Sequence, residues 1–150
     1  MQIFEVEQRS QEWYDLRKGV FTSSEAHKLL GIKGLGQTGE TYALEKAIEI
    51  VEGFGDDELN TFDINRGIEL EPYAFDKFNE VKSLDFIKAR KVGFIKLNDN
   101  VGSSPDGLIG SNEGLEIKCP RREKFYKIVA LGVDAVDKEY IQQMQHQMWV

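Results

Sequence analysis

Apolar and polar positions follow two rhythms along this chain. From Gln11 to Val81 apolar residues recur near helical spacing; from Leu84 to Cys119 they alternate or run together, as in strands. The first rhythm predicts four helices. One covers Gln11–Lys18, with Ser10 as its cap and Gly19 as its stop. A second opens at Thr22, where Thr22 and Glu25 have capping-box spacing, and ends at Gly31. A third covers about Thr41–Glu52, with Tyr42, Leu44, Ala47, Ile48 and Val51 near helical spacing. The fourth runs from about Thr61 to Val81, and Pro72 inside it should kink or restart it. Loops lie between, at Gly31–Gly39 and at the acidic stretch after Gly55.

The second rhythm predicts strands at Leu84–Ala89, Val92–Leu97, Val101–Ile109 and Gly114–Cys119. Asn98–Asn100 is turn chemistry, and Gly110–Gly114 reads as a hairpin connection. Two helices, about Arg122–Leu131 and Asp137–Val150, follow. Helices, then an antiparallel-leaning sheet, then helices predict an α+β layer fold.

Composition narrows the class. A length of 150 residues suggests one domain, and 41% hydrophobic residues with nine Phe, five Tyr and two Trp supply a core. No run approaches a membrane span, and no signal peptide is visible, so a cytoplasmic protein is expected. The single cysteine, Cys119, excludes a disulfide framework and a four-cysteine metal site. Next to Pro120 it reads as a buried structural thiol. With only His27 and His146, a histidine-based metal site lacks material. Gly34-Leu-Gly36-Gln-Thr-Gly39 fits G-x-G-x-x-G letter for letter, yet a helix rather than a strand precedes it, so it is read as a loop.

The net charge of −7 argues against a broadly basic nucleic-acid binder. The charge is uneven, however. Residues 1–75 carry 7 Lys and Arg against 15 Asp and Glu; residues 76–150 carry 12 against 11. Lys118–Lys127 holds five basic residues and one acidic, which suits an anion-facing patch or, equally, a solvated helix face.

The candidate chemistry sits at Ser104-Pro-Asp106-Gly and Glu116-Ile-Lys118. Strand alternation puts Glu116 and Lys118 on one face, and a hairpin turning near Ser111–Asn112 brings Asp106 beside them. Two clustered carboxylates repel and need a cation. Their oxygens are hard ligands suited to Mg²⁺ or Mn²⁺, and a neighbouring lysine can orient or deprotonate an attacking water. The same spacing also describes an ordinary solvent-facing strand.

The Pro-Asp…Glu-x-Lys core resembles the PD-(D/E)XK nuclease superfamily. The wider context resembles the phage lambda exonuclease and YqaJ-type viral recombinase family. The matching stretches are Trp13–His27, Arg66–Ala74, Ser104–Leu108, Leu115–Pro120 and Tyr140–Val150, in the family's order. The resemblance implies a restriction-endonuclease-like core, a mixed sheet flanked by helices, with a helical N-terminal part. It implies metal ligation by Asp106, Glu116, the Ile117 carbonyl and Glu71, a catalytic role for Lys118, and a glutamine, Gln143, flanking the active site. Arg17 would grip the 5′-phosphate of a DNA end, helped by Thr22, Ser23 and Ser24, whose hydroxyls and N–H groups suit an anion. Arg121 and Arg122 are further candidate DNA contacts.

The implied activity is Mg²⁺-dependent 5′→3′ digestion of duplex DNA ends, leaving 3′ single strands for phage-type recombination. A homotrimer and a single-strand annealing protein are the implied partners, in the cytoplasm of a phage-infected or bacterial cell. The alternatives are another PD-(D/E)XK endonuclease or repair nuclease, and a non-catalytic DNA-binding relative. Because the chain stops at Met148-Trp149-Val150, inside an apolar helical pattern, it is expected to be one nuclease domain lacking the C-terminal portion of the family fold.

Overall fold

The computed structural model describes residues 1–31, 34–53 and 62–150. The acidic stretch after Gly55 and the expected start of a helix at Thr61 lie outside the described residues. The chain divides into two compact units. The first comprises Met1–Asp56, Val92–Pro105 and Lys138–Val150; the second comprises Asp57–Lys91 and Asp106–Asp137.

In the first unit, β1 (Gln2–Phe4), β4 (Phe94–Asn98), β5 (Val101–Ser103) and β2 (Phe21–Thr22) form a four-stranded sheet in that order. The β1·β4 and β4·β5 pairs are antiparallel and β2·β5 is parallel, so the sheet is mixed, as the resemblance implied. The N-terminal part is therefore not helical throughout: it contributes two strands, one of them too short to show a period. Helix α1 (Gln11–Arg17) starts where Ser10 Oγ accepts the Trp13 N–H at 3.3 Å. It ends before Gly19, whose φ of +69° disfavours a side chain. A Cβ there would also lie 2.4 Å from Ile50 Cγ1 of α2 (Gln37–Glu52). The Gly19 N–H donates to Glu49 Oε2 of the same helix at 3.0 Å.

The helix expected from Thr22 is a 3₁₀ helix, Ser23–Leu29, with no side-chain cap bond at Thr22. Glu25 turns to Lys28 at 2.5 Å instead of completing the capping box. Helix α5 (Lys138–Trp149) packs against this 3₁₀ helix. Val20, Tyr42, Phe94 and Ile95 form the buried centre, and Phe21 meets Tyr42 edge-on, with ring centroids 5.4 Å apart.

In the second unit, β3 (Ala89–Arg90), β6 (Gly107–Ile109) and β7 (Glu113–Leu115) form an antiparallel sheet in that order. Helix α3 (Phe62–Lys82) continues through Pro72 without a break in its assignment, so Pro72 removes one backbone donor but does not restart the helix. Its buried Phe75 meets the sheet at Gly107, where a Cβ would approach the ring to 2.8 Å. Helix α4 covers Arg122–Leu131, as the spacing predicts.

Three strands are shorter than the pattern suggests, each for a local reason. Val101–Ile109 is broken at Ser104-Pro105-Asp106, because proline cannot donate to a ladder; β5 and β6 then belong to different sheets. In place of a strand from Leu84, a 3₁₀ turn at Ser83–Asp85 extends α3, and Asn79 supplies side-chain bonds to both the N–H and the C=O of Ala89 at 2.7 and 3.1 Å. Gly114–Cys119 ends as a strand at Leu115.

Gly19→Ala is expected to lower unfolding free energy by about 1–3 kcal/mol, combining a disfavoured φ with overpacking against Ile50. Urea denaturation measures this as a lower midpoint at unchanged slope.

Candidate active site

The β6·β7 hairpin pairs Gly107 with Leu115, Leu108 with Gly114 and Ile109 with Glu113. One step further along this register, Asp106 faces Glu116. Here the ladder stops, and a side chain replaces it: Asp106 Oδ2 accepts the Ile117 N–H at 2.5 Å. Glu116 and Lys118 therefore lie on irregular chain just past the strand, not within it, yet the hairpin still brings them to Asp106. Lys118 Nζ is 2.6 Å from Glu116 Oε1, and the Glu116 side chain is only 7% exposed. Glu71, on α3, acts electrostatically on Asp106 as well.

This crowding shows in the acidity of Asp106. Burial, then the charges of Glu116 and Glu71, push its pKa up to about 7; the Ile117 N–H and Lys118 act in the opposite direction without cancelling them. A half-buried carboxylate under the field of two others is destabilised in its charged form.

The donor chemistry fits a hard divalent ion. Among the described residues, no three His, Cys, Asp or Glu side chains gather closely enough to hold a metal by themselves. Mg²⁺, however, usually takes one or two carboxylates and completes its shell with water and substrate phosphate. Asp106 and Glu116 match that requirement; Glu71 is near enough to act on Asp106 electrostatically but does not gather with them into a three-carboxylate cluster.

The irregular stretch after Leu115 is held from its far end by α3. Arg66 donates to the carbonyls of Cys119 at 2.6 Å and Pro120 at 3.3 Å. Asp63 and Arg121 form a two-point ion pair at 2.7 Å each. Sequence reasoning placed Arg66 in a motif but assigned it no task; a helical arginine one turn before Glu71 was the available signal. Cys119 is half-buried, and burial raises its thiol pKa, as expected of a structural thiol.

The basic run Lys118–Lys127 is largely paired internally. Lys118 meets Glu116, Arg121 meets Asp63, Lys124 meets Asp137, and Lys127 meets Glu123 at 3.3 Å. Arg122 stacks over the Tyr126 ring at 5.8 Å. The solvated-face reading accounts for most of this charge.

A second cluster forms inside the first unit. Arg17 donates to Ser104 Oγ at 3.3 Å and Thr22 Oγ1 at 3.5 Å, and stacks 4.0 Å over the Trp13 ring. Thr22 Oγ1 lies 3.4 Å from Ser24 Oγ. Burial lowers the Arg17 pKa, although a guanidinium remains charged at any physiological pH. A half-buried cation beside hydroxyls and an indole is an anion site in composition. Trp13 Nε1 also donates to Ser104 Oγ at 2.9 Å, so Ser104 belongs to this cluster, which sequence reasoning had treated only as the flank of Asp106. Ser23 departs from expectation: its hydroxyl points to His146 Nδ1 at 2.8 Å and is not among the groups around Arg17. Gln143 lies in the first unit on α5, one turn before His146.

A family model described as the YqaJ-like viral recombinase domain matches residues 12–150. Among solved structures, an alkaline exonuclease (LHK-Exo) from Laribacter hongkongensis aligns with a TM-score of 0.77 at 28% identity, covering 93% of this chain and 67% of that one. The crystal structure of LHK-Exo in complex with dAMP aligns with the same TM-score and coverage at 29% identity. The mixed α/β architecture is that of these PD-(D/E)XK-like enzymes. No curated protein matches the chain. No helix among the described residues is long and apolar enough to cross a membrane.

Asp106 gives a pH prediction. Its folded-state pKa lies above its unfolded value, so folding is disfavoured by ionisation; the cost builds from about pH 4 to about pH 7 and is full above it. Asparagine keeps an acceptor for the Ile117 N–H but carries no charge. In metal-free buffer Asp106→Asn is expected to raise the melting temperature by about 5 °C at pH 8 and by little at pH 4. Mg²⁺ added at pH 8 should stabilise wild type and leave the variant unchanged. Equal melting curves for the two proteins at pH 8 would count against the crowded-carboxylate reading.

Proposed function

Because this chain belongs to the YqaJ-like viral recombinase domain family, we propose that it is a DNA exonuclease of recombination that digests duplex ends 5′→3′ with Mg²⁺, which Mn²⁺ can replace. The family and the alkaline exonuclease neighbours support a DNA exonuclease. The observation that carries the catalytic site is the meeting of Asp106, Glu116 and Lys118 at the end of one hairpin. Polarity and metal are the part this reading adds.

Asp106, Glu116 and Glu71, with the Ile117 carbonyl, are the groups to hold the cation. A bound divalent ion supplies charge neutralisation at the phosphodiester and a more acidic water at neutral pH. Lys118, whose ammonium lies against Glu116, orients the attacking water; to take the water's proton it would first have to release one of its own. Gln143 is assigned to the flank of the active site on the strength of the family motif. Arg17, Thr22 and Ser24 hold the terminal 5′-phosphate, which sets the end at which digestion starts. Arg122, Arg121 and Ser23 are weaker candidates for DNA contact, since Arg121 and Ser23 already have intramolecular partners. Digestion from the 5′ end leaves 3′ single strands. Assembly as a homotrimer and cooperation with a single-strand annealing protein belong to the same proposal and rest on family membership alone.

The test is digestion of linear duplex DNA with Mg²⁺. Asp106→Ala and Lys118→Ala are expected to lower the rate by about 10²-fold or more, the scale of losing a metal ligand or a proton-transfer group. Equal rates for all three proteins would overturn the catalytic assignment. Arg17→Ala should abolish preference for 5′-phosphorylated over 5′-hydroxyl ends; unchanged preference would favour another PD-(D/E)XK activity.

A further inference from the structure

The hydroxyls around Arg17 do not hold themselves in place. Thr22 is extended, with φ −112° and ψ 157°, and Ser23 opens a 3₁₀ helix, an element with poorer hydrogen-bond geometry than an α-helix. Thr22 pairs with Gly102 in the β2·β5 ladder, and two long-range side-chain contacts add to this at the Thr22–Ser23 step. Tyr42 Oη of α2 accepts the Thr22 N–H at 3.3 Å. Ser23 Oγ and His146 Nδ1 of α5 lie 2.8 Å apart, across 123 residues of sequence. Ser23 is 2% exposed, so its hydroxyl has little water to turn to, and it bonds with the imidazole.

The position of this contact gives it a consequence. Ser23 stands between Thr22 and Ser24, whose hydroxyls meet each other, the Thr22 hydroxyl also reaching Arg17. Their separation of 3.4 Å and the 3.5 Å reach to the guanidinium are at the long end of hydrogen bonding, so a small shift of the turn breaks them. Burial lowers the His146 pKa; with its hydrogen on Nε2 the ring accepts the Ser23 hydroxyl at Nδ1, and with its hydrogen on Nδ1 it donates to Ser23 Oγ.

We propose that His146 is a positioning residue for the terminal-phosphate site: by holding Ser23 it keeps the Thr22 hydroxyl beside Arg17 and the Ser24 hydroxyl against that of Thr22. This rests on the phosphate reading of the Arg17 cluster given above. His146 touches neither the phosphate nor the reacting atoms. It acts through Ser23, and it ties α5 to the turn that forms the cluster.

The test compares wild type, His146→Leu, His146→Asn, Ser23→Ala and Arg17→Ala on linear duplexes with 5′-phosphoryl or 5′-hydroxyl ends, with kcat and KM measured separately. His146→Leu is expected to lower the preference for phosphoryl ends about three- to ten-fold, the range one lost hydrogen bond produces, and to do so through KM. Asparagine places an amide near the Nδ1 position and should restore the preference to within about two-fold of wild type. Ser23→Ala removes the same bond from the other side and should shift KM as His146→Leu does, which keeps the test open if leucine prevents folding. The double variant should add nothing further.

An unchanged preference in both His146→Leu and Ser23→Ala, or equal losses on both kinds of end, would overturn the proposal. If Arg17→Ala alone removes the preference, the phosphate site stands and the role of His146 falls. If Arg17→Ala leaves the preference intact, the phosphate reading falls and this inference with it.

Discussion

The second unit depends on a like-charge conflict. The hairpin from Gly107 to Leu115 carries Asp106 and Glu116 to the same end, and α3 adds the field of Glu71. A protein selected only for stability would not place three acids there, because burial and repulsion both penalise their ionised forms. The surrounding structure tolerates the conflict through specific devices. Asp106 borrows the Ile117 N–H that a strand partner would otherwise use. Lys118 lies against Glu116, and Arg66 fixes the chain beyond it through two carbonyls. The segment is irregular because its hydrogen bonds go to side chains instead of a ladder.

The first unit contains the complementary arrangement, a half-buried cation. Arg17 is held by Ser104, Thr22 and the face of Trp13, all neutral groups. Its direct partners are neutral, and the nearby charges of Glu49 and Glu25 favour its charged form. Acidic and cationic clusters of this kind explain how a chain of net charge −7 can act on a polyanion. On the proposed reading contact depends on local groups and bound cations, not on a basic surface; the basic run after Lys118 is mostly engaged in internal ion pairs.

Much of this was legible in the sequence. Ser10, Gly19 and the apolar spacing located α1, and α4 and α5 fell where the periodicity put them, because caps and helical periods are local signals. The hairpin and the Asp106–Glu116 meeting followed from turn chemistry and alternation. What remained hidden was long-range. The parallel β2·β5 pair is two residues long and shows no period. The break at Pro105 was visible as a proline, but its effect, passing the chain from one sheet to another, depends on partners elsewhere in the sequence. Asn79 replacing a strand partner for Ala89, Arg66 reaching Cys119, and His146 reaching Ser23 are side-chain bonds across 10, 53 and 123 residues, which no local pattern encodes.

The account stands on the ionisation of one side chain. A carbon-detected NMR titration of the Asp106 carboxyl in metal-free protein reads it directly. The structure predicts a midpoint of about 7, falling when Mg²⁺ is added. A midpoint near 4, unmoved by Mg²⁺, would contradict the claim that Asp106 sits in a crowded carboxylate site built for a cation.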